Sequence, residues 1–183
     1  MPQPLKRNGS IHGIIFGPGK ILERAELAAH IANVISDWRN VEETLELTYG
    51  KILRASISKN RQSHGVTDIL SQQIFDSIYT LDTKLKLIDR ALKVLDDTTH
   101  HETFVKLRPE IRKRGQERNN LVHNTWGVCE AYPEALILNS FDDGLMIYTI
   151  KDFVDISTRT QLVARKLLAL FSKLPDSRSR RKG

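Results

Sequence analysis

Cysteine is almost missing from this chain: Cys129 is the only one in 183 residues. A lone cysteine excludes an intrachain disulfide and any multi-cysteine metal site, and it points to a reducing compartment, the cytoplasm. Long apolar runs are missing too. No stretch of about 18 apolar residues is available to cross a membrane. The N-terminal run from Ile11 to Phe16 is interrupted by His12 and Gly13 and stopped by Gly17-Pro18-Gly19, so it is too short and broken for a signal peptide despite Lys6 and Arg7 ahead of it. There is no internal repeat and no second core pattern.

What remains is the composition of an ordinary globular chain, 40% apolar and 27% charged. Its 28 basic and 22 acidic residues leave a net charge of +6, which favours a polyanionic partner where the excess is clustered. It is clustered twice. The stretch from Lys106 to Arg118 holds Lys106, Arg108, Arg112, Lys113, Arg114 and Arg118 against Glu110 and Glu117, and Arg178, Arg180, Arg181 and Lys182 crowd the C-terminus. The second cluster reads as a basic disordered tail over 175–183.

After a loose N-terminal segment over 1–20, a single domain is expected over 21–174. Apolar side chains recur at three- and four-residue steps through Ile31, Val34 or Ile35, Trp38, Val41, Leu45, Tyr49 and Ile52, which predicts a helix over about 21–56. The polar run from Ser56 to Gly65 reads as a loop. The same period through Ile74, Ile78, Leu81, Leu85, Ile88, Leu92 and Leu95 predicts a second helix over about 66–96, antiparallel to the first. A third begins at Thr99 and Glu102, a capping pair, and runs through Phe104, Leu107, Ile111, Arg118 and Val122, with Pro109 kinking or splitting it. Gly115, near that line, suits a close backbone approach or is a weak point in the helix.

Beyond Trp126 the pattern changes. Ala135-Leu136-Ile137-Leu138 and Leu145-Met146-Ile147-Tyr148 flank Asp142-Asp143-Gly144, a hairpin signal. Thr149 and Asp152 then cap a last helix through Phe153, Ile156, Val163, Leu167, Leu170 or Phe171, and Leu174, ended by Pro175. The expected fold is mainly α, a four-helix up-and-down bundle with a small β-hairpin inserted before the last helix.

Several chemical patterns fail on spacing. Gly17-Pro18-Gly19-Lys20 lacks the spacing of a phosphate loop. His100 and His101 are adjacent, so on a helix they point about 100° apart and do not share a metal. Asp37, Glu42, Glu43 and Glu46 make an acidic side of the first helix with no further oxygen-ligand pattern, better assigned to solvent or to the cations of the third helix. Ser10, Ser63 and His64 have no nucleophile context. No metal and no cofactor is expected.

The segment Arg118-Asn119-Asn120-Leu121-Val122-His123 stands apart. It joins a permanent cation, two amides and an imidazole directly after the basic stretch. It resembles the Arg-polar-x3-His motif of the HEPN (higher eukaryotes and prokaryotes nucleotide-binding) domain, and the resemblance extends over about 25–173: two long helices, a third bearing the motif, Trp126 three residues after the histidine, and a closing helix. The resemblance implies a helical homodimer with the motif at the subunit interface and, in active members, metal-independent RNA cleavage. Many members are toxins or phage-defence effectors, paired with an antitoxin or regulatory protein; others are non-catalytic RNA- or nucleotide-binding or regulatory modules. The family's arginine falls on Arg118, its polar residue on Asn119 and its histidine on His123.

The chemistry fits those residue types. Cleavage through the 2′-hydroxyl needs a proton removed, charge on the phosphoryl group stabilised and the 5′-oxygen protonated. Imidazole titrates near neutral pH and suits both transfers, and a guanidinium stays charged and donates two hydrogen bonds to phosphate oxygens. In the last turn of a helix His123 faces the negative end of the dipole, which favours its protonated form as the initial acid. Arg112, Lys113 and Arg114 are candidate phosphate contacts. Trp126 offers a stacking face for a base or packs in the core. Geometry poses one difficulty: residues five apart on a helix diverge by about 140°, so Arg118 and His123 do not face the same way, whereas Asn119 and His123 differ by only about 40°. They converge if the helix frays at His123, if the Arg118 side chain wraps round, or if a twofold-related copy supplies the missing group.

Overall fold

The computed structural model describes residues 2–5, 13–17, 19–57, 64–95, 98–140 and 144–175. Among these residues no helix is long and apolar enough to cross a membrane. The elements in order are β1 (Gln3–Pro4), β2 (Ile14–Phe16), a 3-10 turn (Lys20–Arg24), α1 (Ala25–Ile57), α2 (His64–Asp76), α3 (Leu81–Leu95), α4 (Thr98–His123), β3 (Thr125–Cys129), β4 (Ala135–Ser140), β5 (Gly144–Thr149) and α5 (Ile150–Lys173). The chain divides into two compact units, Met1–Trp38 with Arg114–Gln161 and Arg39–Lys113 with Leu162–Gly183.

The first unit corrects the expected architecture. The two strands of the hairpin do pair, from Ala135↔Thr149 to Ser140↔Gly144, but they form the middle of a five-stranded antiparallel sheet in the order β1-β5-β4-β3-β2. The four-helix bundle with a small hairpin is therefore replaced by five helices and this sheet among the described residues. The physical reason lies in β4, whose Ala135, Leu136, Ile137 and Leu138 are all buried. A strand apolar on both faces is a central strand, and two strands alone would leave it uncovered. Gly144 takes a positive φ of 72°, as a tight return requires, while Asp142 and Asp143 lie outside the described residues.

β3 joins through Trp126↔Leu138 and Gly127↔Ile137, and β2 covers it with Phe16 opposite Gly127. A Cβ on Gly127 would come within 2.6 Å of the Phe16 ring and 3.0 Å of the Ile15 carbonyl, so the glycine is what lets β2 lie against β3. Over the sheet, Leu27, Ile31 and Val34 of α1, Leu121 of α4 and Phe153 and Ile156 of α5 pack with Trp126, Val128, Leu136, Leu138 and Tyr148. Trp126, Tyr148 and Phe153 pack mutually at ring-centroid distances of 5.3, 5.9 and 5.5 Å. Burying each such side chain contributes about 1.5–3 kcal/mol, and each aromatic pair about 0.5–1.5 kcal/mol more.

α5 starts where its cap predicts. Asp152 accepts hydrogen bonds from the Thr149 amide at 3.0 Å and hydroxyl at 2.8 Å. Burial pushes the Asp152 carboxyl up, the Thr149 bonds pull it down, and it ends below its ordinary value.

In the second unit Val41, Leu45, Tyr49 and Ile52 continue the α1 stripe, and Leu85, Ile88, Leu92 and Leu95 line α3, as their spacing predicts. The continuous helix expected over 66–96 is broken, however. Ser77 donates its hydroxyl to the Ile74 carbonyl at 2.7 Å, and Thr80 accepts from the Thr83 amide at 3.3 Å, so one helix is closed and the next capped within four residues. Phe75 rather than Ile74 is buried, stacked on Tyr49 at 5.5 Å. α4 runs unbroken through Pro109.

Candidate functional site

The motif occupies the last turns of α4, and its side chains separate by helical face. Arg114, Gly115 and Leu121 are buried, Arg118 is half-buried, and Asn119 and His123 are exposed. The inward line thus runs through Arg114 and Leu121 rather than to Val122, which is 42% exposed.

Two side chains close the helix. Asn124 donates to the Asn120 carbonyl at 2.9 Å, and the Trp126 indole N–H donates to the Leu121 carbonyl at 2.9 Å. Carbonyls at a helix end lack intrahelical partners, so these two bonds hold the last turn in place. α4 consequently stays helical through His123. Fraying at His123 therefore does not bring it toward Arg118.

Arg118 instead reaches sideways. Its Nη1 donates to Asn119 Oδ1 at 3.0 Å, and its guanidinium carbon stands 6.0 Å from the centre of the Trp38 ring of α1. Asn119 is one turn before His123, where residues four apart are neighbours. The structure therefore brings Arg118 to Asn119 and leaves His123 open to solvent on the face that Asn119 shares.

The other expected site residues fall in different places. Arg114 is 6% exposed and pairs with Glu117 at 2.6 Å, three residues on. Arg112 pairs with Asp82 of α3, and Lys113 is exposed. Trp126 is buried, with its ring against Tyr148 and Phe153, so it packs in the core and turns no free face outward for a base.

Spacing alone missed three partners of this region. Trp38 reads as one more core position of α1, yet it also carries the Arg118 cation. Glu117 was legible as a three-residue neighbour of Arg114, but its second cation, Arg159 of α5 at 3.8 Å, is remote in sequence. Asp37 turns to α5, accepting from the Ser157 hydroxyl and from Gln161 Nε2 at 3.1 Å, instead of meeting the cations of α4. Glu43 pairs with Arg39 at 3.0 Å, and Glu46 is raised above its ordinary pKa, first by burial and then by the nearby charge of Asp76. Among the described residues no group of three or more His, Cys, Asp or Glu is placed to hold a metal ion.

No family model, no curated protein and no solved structure matches this chain.

Proposed function

We propose that this chain is a metal-independent endoribonuclease of the HEPN type, working in the cytoplasm as a homodimer, with Arg118 and His123 as catalytic residues and Asn119 between them. The observation that carries the reading is the hydrogen bond from Arg118 to Asn119 on the face where His123 stands exposed. Asn119, four residues before His123 and on the same helix face, is the link between the two in this reading despite their five-residue separation.

In this reading Arg118 neutralises the charge that develops on the phosphoryl oxygens, and His123 transfers protons. One imidazole serves a single protonation state at a time. A second copy of α4 across a twofold axis supplies a second His123, so that one takes the 2′-hydroxyl proton while the other protonates the 5′-oxygen. Lys113, exposed on the same helix, is a phosphate contact. A toxin or phage-defence role, with an antitoxin or regulatory protein as partner, follows from the same reading.

The test is cleavage of single-stranded RNA in excess chelator. Wild-type protein cuts, and His123→Ala and Arg118→Ala lose at least about a hundredfold in rate, the usual scale for a general acid–base or charge-stabilising group. Cleavage that persists in His123→Ala overturns the proposal.

A second reading has its own support in the contact of Arg118 with Trp38, which partly buries the cation. There the segment is a non-catalytic RNA- or nucleotide-binding or regulatory module. RNA bound with steep salt dependence yet left uncut distinguishes it.

A further inference from the structure

The unit made of Arg39–Lys113 and Leu162–Gly183 contains a cavity of about 390 Å³ between α4 and α5. Its floor is apolar, formed by the buried Leu107 and Leu170, with the exposed Ala169 at its lip. Its walls are cationic. Lys106, Lys166 and Lys173 line it against a single carboxylate, Glu110, and Lys166 holds both oxygens of that carboxylate at 2.9 and 2.6 Å. The Lys166–Glu110 pair thus cancels one charge of each sign, and the surplus rests on Lys106 and Lys173.

We propose that this groove binds a small amphiphilic anion, its hydrocarbon body on Leu107 and Leu170 and its acidic head group at Lys106 and Lys173. A cavity of this size lies in the range of small-molecule sites, which pair a mainly apolar lining with a few placed polar groups. The charge excess selects an anion, and the apolar floor selects one with a hydrocarbon part. A nucleic-acid backbone, which needs only the lysines, has no use for that floor.

The test uses the full chain and the fluorescent probe 1-anilinonaphthalene-8-sulfonate. The probe binds saturably at one site per chain, and octanoate displaces it. Displacement strengthens about fourfold for each methylene from hexanoate to octanoate, the factor expected for a buried CH2. Lys106→Ala with Lys173→Ala weakens octanoate about tenfold, as expected for lost charge-assisted contacts, but leaves 1-octanol within about twofold. Ala169→Phe fills the groove and abolishes probe binding at an unchanged melting temperature. Should that variant not fold, Thr103→Phe from the opposite wall gives the same block. The proposal fails if no saturable binding occurs, if binding survives either filled groove, or if a short RNA displaces the probe while octanoate does not.

Discussion

The Arg118 guanidinium stands over the indole of Trp38, 6.0 Å from the ring centre, so a residue buried in α1 positions a cation of α4. A partly desolvated contact of this kind contributes about 0.5–2 kcal/mol. Trp38→Phe keeps an aromatic face and should lower stability only modestly. Trp38→Leu removes the face and leaves a void, and should cost about 2–4 kcal/mol. Urea denaturation gives the stabilities, and peptide-mapped phenylglyoxal labelling reads the freedom of Arg118, which should react faster in Trp38→Leu alone. Equal reactivity in both variants would show that the ring does not restrain the cation.

Whether the site is completed across a twofold axis has a clean genetic test. A dimer of one wild-type chain and one His123→Ala chain keeps a single His123 imidazole. If one composite site uses the His123 of both copies, as proposed, this mixed dimer is as inactive as the His123→Ala homodimer. If each chain forms its own site, the mixed dimer keeps about half the wild-type rate. Co-expression under two tags, followed by RNA cleavage in chelator, separates the outcomes.

Gly127 and Phe16 make a structural prediction independent of any function. Because a Cβ at Gly127 would overlap the Phe16 ring at 2.6 Å, Gly127→Ala must displace the ring or loosen β2 from β3. The expected loss is about 1–3 kcal/mol, the usual scale of overpacking. Phe16→Ala should remove most of that loss and leave only the smaller strain of the 3.0 Å approach to the Ile15 carbonyl. A double-mutant cycle by chemical denaturation measures that coupling, and additive losses would refute the contact.

The helical part of this fold was legible because three- and four-residue spacing reports burial directly, as Val41, Leu45, Ile52, Leu85, Ile88 and Leu92 bear out. The sheet was legible only at β4 and β5, where a turn signal joins two apolar runs. β3 hid behind the motif helix as Thr-Trp-Gly-Val-Cys, and β1 and β2 are two and three residues long, too short for alternation to register. The break between α2 and α3 was invisible because apolar spacing passes through it and neither proline nor glycine marks it. Ser77 and Thr80 were the available signals. At the candidate site, the sequence pattern singles out Arg118, Asn119 and His123, but the bond to Asn119 and the Trp38 platform depend on side-chain directions that spacing does not supply.

Asp89 should make the helical unit acid-sensitive. Burial pushes its carboxyl up, yet hydrogen bonds from His101 at 2.9 Å and Lys93 at 3.1 Å, with the charges of Lys93 and Arg108, hold it below its ordinary value. A carboxylate depressed in the folded state stabilises that state above its unfolded pKa, about 3.9, and the contribution is lost as pH falls from there through the lower folded value. Asp89→Asn should therefore be less stable than wild type at pH 7, and the gap should narrow toward pH 3. A pH series of urea midpoints checks it, and a gap independent of pH would assign the loss to packing instead.

Arg114 poses the sharpest choice between a structural and an RNA-contacting role. Its side chain is 7% exposed and its ion pair with Glu117 spans 2.6 Å, with Arg159 at 3.8 Å on the other carboxylate oxygen. Removing one partner of a buried pair strands the other charge in low dielectric, so Glu117→Leu should cost about 2–4 kcal/mol, somewhat below the fully buried case because Glu117 keeps contact with water. Replacing both, Arg114→Met with Glu117→Leu, removes the stranded charge, and Arg159 is exposed enough to take its hydration from solvent. Most of the stability should return. If Arg114 is only a structural partner of Glu117, the double variant also binds RNA as wild type does, with an unchanged salt slope. If Arg114 contacts phosphate, the double variant folds but its slope of log K against log salt falls by about one counterion.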